Sequence, residues 1–142
     1  MGNPSLANLI AVAESLGVGL DELTSRPRSA VMLVRANDVP VEQRARGGGV
    51  SVQIRKLLPD QVRGLAFDEM KFSARARMAG KPHLPGAKEY LVLLKGKLEI
   101  GVDGERWELD VGDVLAFPGD VPHAYVNSRE TEAIAISVVI PL

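Results

Sequence analysis

The sequence predicts an all-β sandwich or barrel of short strands, preceded by a short helical segment. Glycine and proline are frequent in the 142 residues, with 14 and 9 copies, which is typical of a chain with many tight turns. After residue 25, apolar runs of strand length alternate with turn-forming residues, and no long helical pattern occurs. Asp103-Gly104 lies between two such runs, which is the strongest local signal for a hairpin.

Composition excludes several classes of function. With 17 Lys and Arg against 18 Asp and Glu, the surface as a whole cannot be a basic patch for nucleic acid. The chain has no cysteine, which excludes disulfides, iron–sulfur clusters, zinc fingers and thiol catalysis. Its longest apolar run, 133–140, is too short to cross a bilayer. A signal peptide would begin with a positively charged region, but no Lys or Arg precedes Arg26. We therefore expect a cytoplasmic protein without a membrane partner.

The first 25 residues predict helices. Apolar residues recur there at helical spacing, namely Leu6, Leu9, Ile10, Ala13 and Leu16. Ser5 is a suitable N-cap and Gly17 a suitable C-cap. Residues 21–23 predict a second, shorter helix with acidic residues near its start, and residues 24–28 predict a linker.

The rest of the chain predicts strands. Residues 30–35 form an apolar run, and residues 44–49 predict a mobile loop because three consecutive glycines disfavour order. The predicted strands are 50–58, 71–78, 89–94, 97–102, 105–109, 113–117, 123–126 and 132–140. These patterns divide the chain into three predicted segments: helices over 1–25, a linker and first strand over 26–49, and a β domain over 50–142.

Several side chains in these strands are candidates for ligand binding or for the core. Arg75 and Arg77 alternate with apolar residues in 71–78 and would either be solvated or hold an anionic ligand through forked hydrogen bonds. Tyr125 is predicted to line a pocket because it lies two residues after His123, and Trp107 is predicted to lie in the core.

The two histidines, His83 and His123, could form a metal site with Glu89. Two imidazoles and one carboxylate make a set that suits iron and can also hold manganese, nickel or zinc. Spacing alone leaves an alternative open, in which His83 is a loop residue, Glu89 a surface acid and His123 a turn residue.

Two motifs carry a resemblance to a known family. Residues 112–127, GDVLAFPGDVPHAYVN, resemble the second cupin motif, G-x5-P-x-G-x2-H-x3-N, at Gly112, Pro118, His123 and Asn127, with Asp120 in place of the second glycine. Residues 83–96 resemble the first motif, G-x5-H-x-H-x3,4-E-x6-G, at His83, Glu89 and Gly96. Pro85 replaces the second histidine, and Gly80 lies only three residues before His83 instead of six.

The cupin resemblance implies a jelly-roll barrel, the double-stranded β-helix, from about residue 50 to the end. It also implies metal ligands at His83, Glu89 and His123, with one family ligand lost at Pro85. The site would then hold one divalent transition metal with additional waters, or it would have become a metal-free pocket for a small molecule.

The N-terminal segment resembles a second family. NPSLANLIAVAESLGVGLDEL, residues 3–23, is similar to the last two helices of the repressor-type (XRE) helix-turn-helix domain. A known family of regulators joins this domain to a C-terminal cupin sensor, and the order here is similar. The recognition helix that enters the major groove is absent from this sequence, and residues 1–25 contain no Lys or Arg for phosphate contacts. We accordingly expect either a piece of a longer regulator or a cupin whose helical remnant dimerises or packs on the barrel.

These resemblances imply an effector-sensing cupin domain of a DNA-binding transcriptional regulator. A small molecule would bind in the barrel, and DNA would bind only through the missing helix-turn-helix part. The alternatives are a small metal-dependent cupin enzyme, a dioxygenase or an isomerase, and a plain metabolite-binding cupin. The family often dimerises through its sheet, so we expect a homodimer that covers strand 133–140 as a sheet edge.

Overall fold

The computed structural model describes residues 5–24 and 31–142, and no side chains at 45–47. The chain divides into two compact units, Met1–Met32 and Leu33–Leu142. The predicted linker, apart from Thr24, lies outside the described residues. No helix in the described ranges is long and apolar enough to span a membrane.

The first unit contains the two predicted helices, α1 (Leu6–Leu16) and α2 (Leu20–Thr24). The Ser5 hydroxyl accepts a 3.2 Å hydrogen bond from the backbone N–H of Asn8 and so caps α1. Gly17 ends the helix in the left-handed conformation at φ +69°. The predicted caps of α1 are therefore confirmed.

The second unit contains ten strands after a 3-10 turn at Ala36–Asp38. They are β1 (Val41–Gly47), β2 (Val50–Lys56), β3 (Ala66–Phe72), β4 (Arg77–Ala79), β5 (Lys88–Lys95), β6 (Leu98–Val102), β7 (Glu105–Leu109), β8 (Val114–Pro118), β9 (His123–Val126) and β10 (Ala133–Ile140). The all-β fold class of this unit is confirmed.

The strands form two antiparallel sheets with a shared core. The larger sheet has the order β1-β2-β3-β10-β5-β8, and the smaller has the order β4-β9-β6-β7. Inward-facing residues of the larger sheet, such as Phe72, Leu91 and Leu93, are fully buried with Leu98 and Ile100 of the smaller sheet. Burial of this apolar area is the main stabilising contribution to the fold.

Three segments differ from their prediction. Residues 31–35 form no strand, although their sequence is apolar. Arg44–Gly47, predicted as a mobile loop, lies in β1, because its backbone pairs with β2 up to Gly47↔Val50. The predicted strand 71–78 is two strands in different sheets, separated by a turn in which Arg75 adopts φ +62°.

The predicted hairpin at Asp103-Gly104 joins β6 and β7. Both turn residues have positive φ, +48° and +85°, as a two-residue hairpin requires. Trp107, which pairs with Ile100, is 38% exposed and therefore does not lie in the core as predicted. It stands on β7, the edge strand of the smaller sheet, where no further strand covers it.

The face of the larger sheet that points away from the core is unusually apolar; we call it the outer face. One row across four strands consists of Phe67, Val138, Tyr90 and Ala116, and the next consists of Ile136, Val92 and Val114 with Glu69 at its β3 end. Phe67 is 38% and Val114 66% exposed. Strand β10 lies in the centre of this sheet, between β3 and β5, so its prediction as an edge was wrong.

Candidate metal centre

The fold brings His83, Glu89 and His123 together. His83 lies in the loop between β4 and β5, Glu89 is the second residue of β5, and His123 is the first residue of β9. One potential ligand atom from each residue lies within 4.8 Å of the others. The loop and two strands from different sheets thus form one compact donor set.

Glu89 is 1% exposed and receives hydrogen bonds from several directions. Its Oε1 accepts from the Tyr125 hydroxyl at 2.6 Å and from the Ser137 hydroxyl at 2.7 Å. Its Oε2 lies 3.2 Å from Nε2 of His83 and 3.6 Å from Nε2 of His123. One oxygen is therefore occupied by two hydroxyl donors, and the other faces the imidazoles.

These contacts determine the charge of the carboxylate. Burial acts to raise the pKa of Glu89, but hydrogen bonds from His83, Tyr125 and Ser137 lower it more strongly, so its pKa lies below the usual value. Burial and the neighbouring Glu89 charge both raise the pKa of Tyr125. Glu89 is therefore an anion that accepts hydrogen bonds, and Tyr125 is a neutral donor.

His123 presents a free nitrogen to the site. Its Nδ1 lies 2.8 Å from the carbonyl oxygen of Val121, which can only accept, so Nδ1 carries the proton of the neutral ring. The lone pair is then on Nε2, which is buried and has no hydrogen-bond partner. A buried nitrogen without a partner is costly, and a metal ion would satisfy it.

Gly80 makes room for this imidazole. Its N–H donates to the carbonyl oxygen of His123 at 2.9 Å. A Cβ built on Gly80 would lie 2.1 Å from Nε2 of His123, which no side chain tolerates. Glycine is therefore required at this position if His123 is to keep its orientation.

The loop that carries His83 is held by the loop that precedes β9. The N–H of His83 donates to the carbonyl oxygen of Gly119 at 2.9 Å, and the N–H of Gly119 donates to Ala87 at 2.8 Å. The Asp120 carboxylate accepts from the N–H of Gly86 at 2.8 Å. The aspartate that departs from the cupin motif thus connects the loop that carries His83 to the loop that precedes β9.

A cavity of about 240 Å³ opens beside the three residues. Its walls include Ile54, Met70, Met78 and Val139, together with Tyr125 and Ser137. Arg44, Lys56, Lys81 and Asp68 add charged groups to its lining. The site therefore combines a polar end with apolar walls, as small-molecule pockets usually do.

The remaining predicted residues lie in different places. Tyr125 lines the cavity, whereas Arg75 and Arg77 do not. Arg75 pairs with Glu130 on the surface, and Arg77 is exposed on β4. Pro85 also lies outside this cavity, whereas Lys81, two residues before His83, lines it.

Sequence reasoning missed Ser137, Gly80, Lys81 and Arg44 as residues of the site. A serine in the apolar run of β10 was the one available signal for Ser137, because an isolated hydroxyl on the buried face of a strand needs a partner. Gly80 has the wrong spacing for the glycine of the cupin motif, so the motif gives no signal for its role beside His123.

The donor set fits a divalent transition metal. Two imidazole nitrogens and one carboxylate oxygen suit iron, manganese, nickel or zinc, and three protein ligands leave positions for water or a ligand. His83 and His123 would use Nε2 and Glu89 would use Oε2. The unpartnered Nε2 of His123 is the observation that favours this fit.

Comparisons with known proteins agree with this architecture. A family model described as Cupin domain matches residues 70–139. The HTH-type transcriptional regulator SutR of Escherichia coli (strain K12) is 30% identical over 130 residues, which are 90% of this chain and 67% of SutR.

Two solved structures are similar as well. The Cupin_2 domain of an XRE family transcriptional regulator from Enterobacter cloacae superposes with a TM-score of 0.59 and 29% identity over 64% of this chain and 98% of that domain. FeII HppE is 19% identical with a TM-score of 0.61, covering 98% of this chain and 78% of its own, which indicates a shared fold alone. The chain therefore belongs to the family of cupin-domain transcriptional regulators of the XRE helix-turn-helix type.

Proposed function

We propose that this chain is the effector-sensing part of a DNA-binding transcriptional regulator, with a small molecule and a divalent transition metal bound in the β unit. The observation that supports this most directly is the buried Nε2 of His123, which faces Glu89 Oε2 at 3.6 Å and has no hydrogen-bond partner. The metal would hold the ligand through its open coordination positions, and His83, Glu89 and His123 would hold the metal.

Metal binding is tested by titrating metal-free protein with Zn²⁺ or Co²⁺ in a calorimeter. We expect one ion for each chain, and we expect His123→Ala to abolish binding because one of three ligands is removed. Glu99→Gln is a matched control, since Glu99 lies on β6 opposite Glu108 and outside the cavity lining. Equal binding by wild type and His123→Ala would contradict the site.

The regulatory part of the proposal concerns DNA. Residues 1–25 contain no Lys or Arg, so we expect this chain on its own to have little affinity for DNA. A longer gene product that carries all helices of the helix-turn-helix domain should shift operator DNA in a gel, and ligand should change that affinity. Failure of the longer product to bind DNA would contradict the regulatory role.

A homodimer is part of the proposal. One row of apolar residues crosses four strands of the outer face and a second crosses three, and an apolar patch of this kind usually marks an interaction surface. A second copy is a suitable partner because the same apolar rows of both copies would meet under two-fold symmetry, and the neighbouring Glu69 carboxylate is already paired with Arg55 at 3.1 Å. Binding of the effector would then shift the population of dimer arrangements.

A small metal-dependent enzyme, a dioxygenase or an isomerase, is the second candidate. The observation in its favour is that the His83 side chain is 32% exposed, so a substrate can reach the open side of the metal site. A metal there would polarise a substrate or activate oxygen. Turnover by metal-loaded protein would favour the enzyme, whereas ligand binding without turnover would favour the sensor.

A further inference from the structure

The charges that line the β-unit cavity are not balanced. Arg44, Lys56 and Lys81 supply three cations, and Asp68 and Glu89 supply two anions. Glu89 is fully engaged inside the site by two hydroxyl groups and His83. Glu89 keeps its negative charge, but in the described part of the chain its ion-pair partners are the two histidines and not Arg44, Lys56 or Lys81.

Two of the cations share acidic partners. The Lys56 ammonium lies 2.9 Å from Asp68 and 3.8 Å from Glu42. Glu42 also pairs with Nε of Arg44 at 2.8 Å. Glu42 and Asp68 thus form the ion pairs of Arg44 and Lys56. Neither of these carboxylates forms a described ion pair with the third cation.

Lys81 is that third cation. Among the residues that the structure describes, no ion pair involves Lys81. It is exposed and lies two residues before His83, at the same cavity as the candidate metal ligands. A divalent metal on His83, Glu89 and His123 would increase the positive charge further.

The cavity walls limit what can neutralise this charge. Ile54, Met70 and Val139 are 5%, 4% and 2% exposed and form an apolar surface beside the polar end. Solvated inorganic ions gain little from such walls, whereas an aliphatic chain does. The volume of about 240 Å³ restricts the occupant to a small molecule.

We infer that the effector is a small organic anion, a carboxylate with a short apolar chain, whose charge is held by Lys81. This inference rests on the proposed function of the cavity as an effector site. The carboxylate would lie at the charged end, near Lys81 and the candidate metal, and the chain would contact the apolar walls.

The test compares charged ligands with neutral ones of the same shape. Linear monocarboxylates from acetate to hexanoate, and their primary amides, are titrated into metal-free and zinc-loaded protein at constant ionic strength. We expect at least one carboxylate to bind about tenfold more tightly than its amide, and Lys81→Met to remove about that factor. Lys95→Met is the matched control, because Lys95 faces Glu132 at 3.4 Å outside the cavity lining.

The outcomes separate the two proposals. Amides that bind as tightly as carboxylates, or an unchanged carboxylate affinity in Lys81→Met, would overturn the anion inference and leave the effector cavity intact. No binding by any member of either series, with or without zinc, would overturn the effector cavity and the inference together. If Lys95→Met loses as much carboxylate affinity as Lys81→Met, the effect comes from the net charge of the protein, and the specific role of Lys81 is overturned.

Discussion

The hydroxyl of Tyr125 donates a 2.6 Å hydrogen bond to Oε1 of Glu89 across the gap between the two sheets. Glu89 lies on β5 of the larger sheet, and Tyr125 on β9 of the smaller one. Ser137 on β10 donates to the same oxygen at 2.7 Å. The two hydroxyl groups fix the carboxylate so that Oε2 alone faces the histidines.

Removing either hydroxyl should weaken metal binding. In Tyr125→Phe or Ser137→Ala, Oε1 keeps one strong donor and the carboxylate can rotate away from its position toward the histidines. We expect the affinity for Zn²⁺ to fall about tenfold to hundredfold, as is common when a partner that orients a metal ligand is lost. Calorimetric titration measures this, with Tyr90→Phe on the outer face as control. An unchanged affinity in both variants would show that the hydroxyl groups do not position Glu89.

A single methyl group at residue 80 should disrupt the site. The Cβ of Gly80→Ala would lie 2.1 Å from Nε2 of His123, so the imidazole must move and lose its bond to Val121. We expect a loss of about 1–3 kcal/mol of unfolding free energy and a loss of metal binding. Gly101→Ala is the control, because the nearest atom to its Cβ is 3.8 Å away. Wild-type metal affinity in Gly80→Ala would contradict the described position of His123.

Asn127 should stabilise the fold without affecting the metal. It is 1% exposed, and its Nδ2 donates to the carbonyl oxygens of Ser73 and Thr131 at 2.9 and 2.8 Å. Asn127→Ala leaves these carbonyls without their donor, and we expect a loss of about 1–3 kcal/mol in denaturant unfolding. Asn37→Ala, at an exposed position, should change little. We expect the metal affinity of Asn127→Ala to equal that of the wild type. An unfolding free energy equal to that of the wild type would contradict the stabilising role of Asn127.

A charge on the outer face should separate the proposed dimer. Val92 lies between Ile136 and Val114 in one of the apolar rows, so Val92→Lys would bury an unpaired ammonium in the interface. We expect sedimentation to change from dimer to monomer with a normal circular dichroism spectrum. Gln61→Lys adds the same charge in the exposed loop between β2 and β3 and should remain dimeric. A monomeric wild type would remove the basis for this interface.

The sequence was sufficient for much of the β unit because its signals are local. Asp103-Gly104 specifies its hairpin through the positive φ of both residues, and most strands from β5 onward begin and end within a residue or so of their predicted bounds. The convergence of His83, Glu89 and His123 followed from the motif resemblance. Spacing alone did not require it, since the three residues lie on a loop and on strands of two sheets.

The errors occurred where tertiary contacts override local preference. Apolar and polar residues alternate through the whole of 71–78, which predicts one strand. The chain changes sheet at Arg75, whose backbone is left-handed, and because Arg75 is not glycine the sequence contains no signal for this turn. The three glycines after Arg46 predict a loop, although the end of β1 pairs with β2 as far as Gly47. Ser137 belongs to the site only because β10 pairs with β5 and brings it near Glu89, a relationship between residues 48 positions apart.

The two sheets share no backbone ladder, so side chains and the short loops that join their strands set their separation. Glu89 belongs to one sheet and His123 to the other. Any occupant that bonds to both residues would link the two sheets through its own bonds. Because such an occupant would bind the folded chain and not the unfolded one, we expect it to raise the free energy of unfolding of the whole β unit.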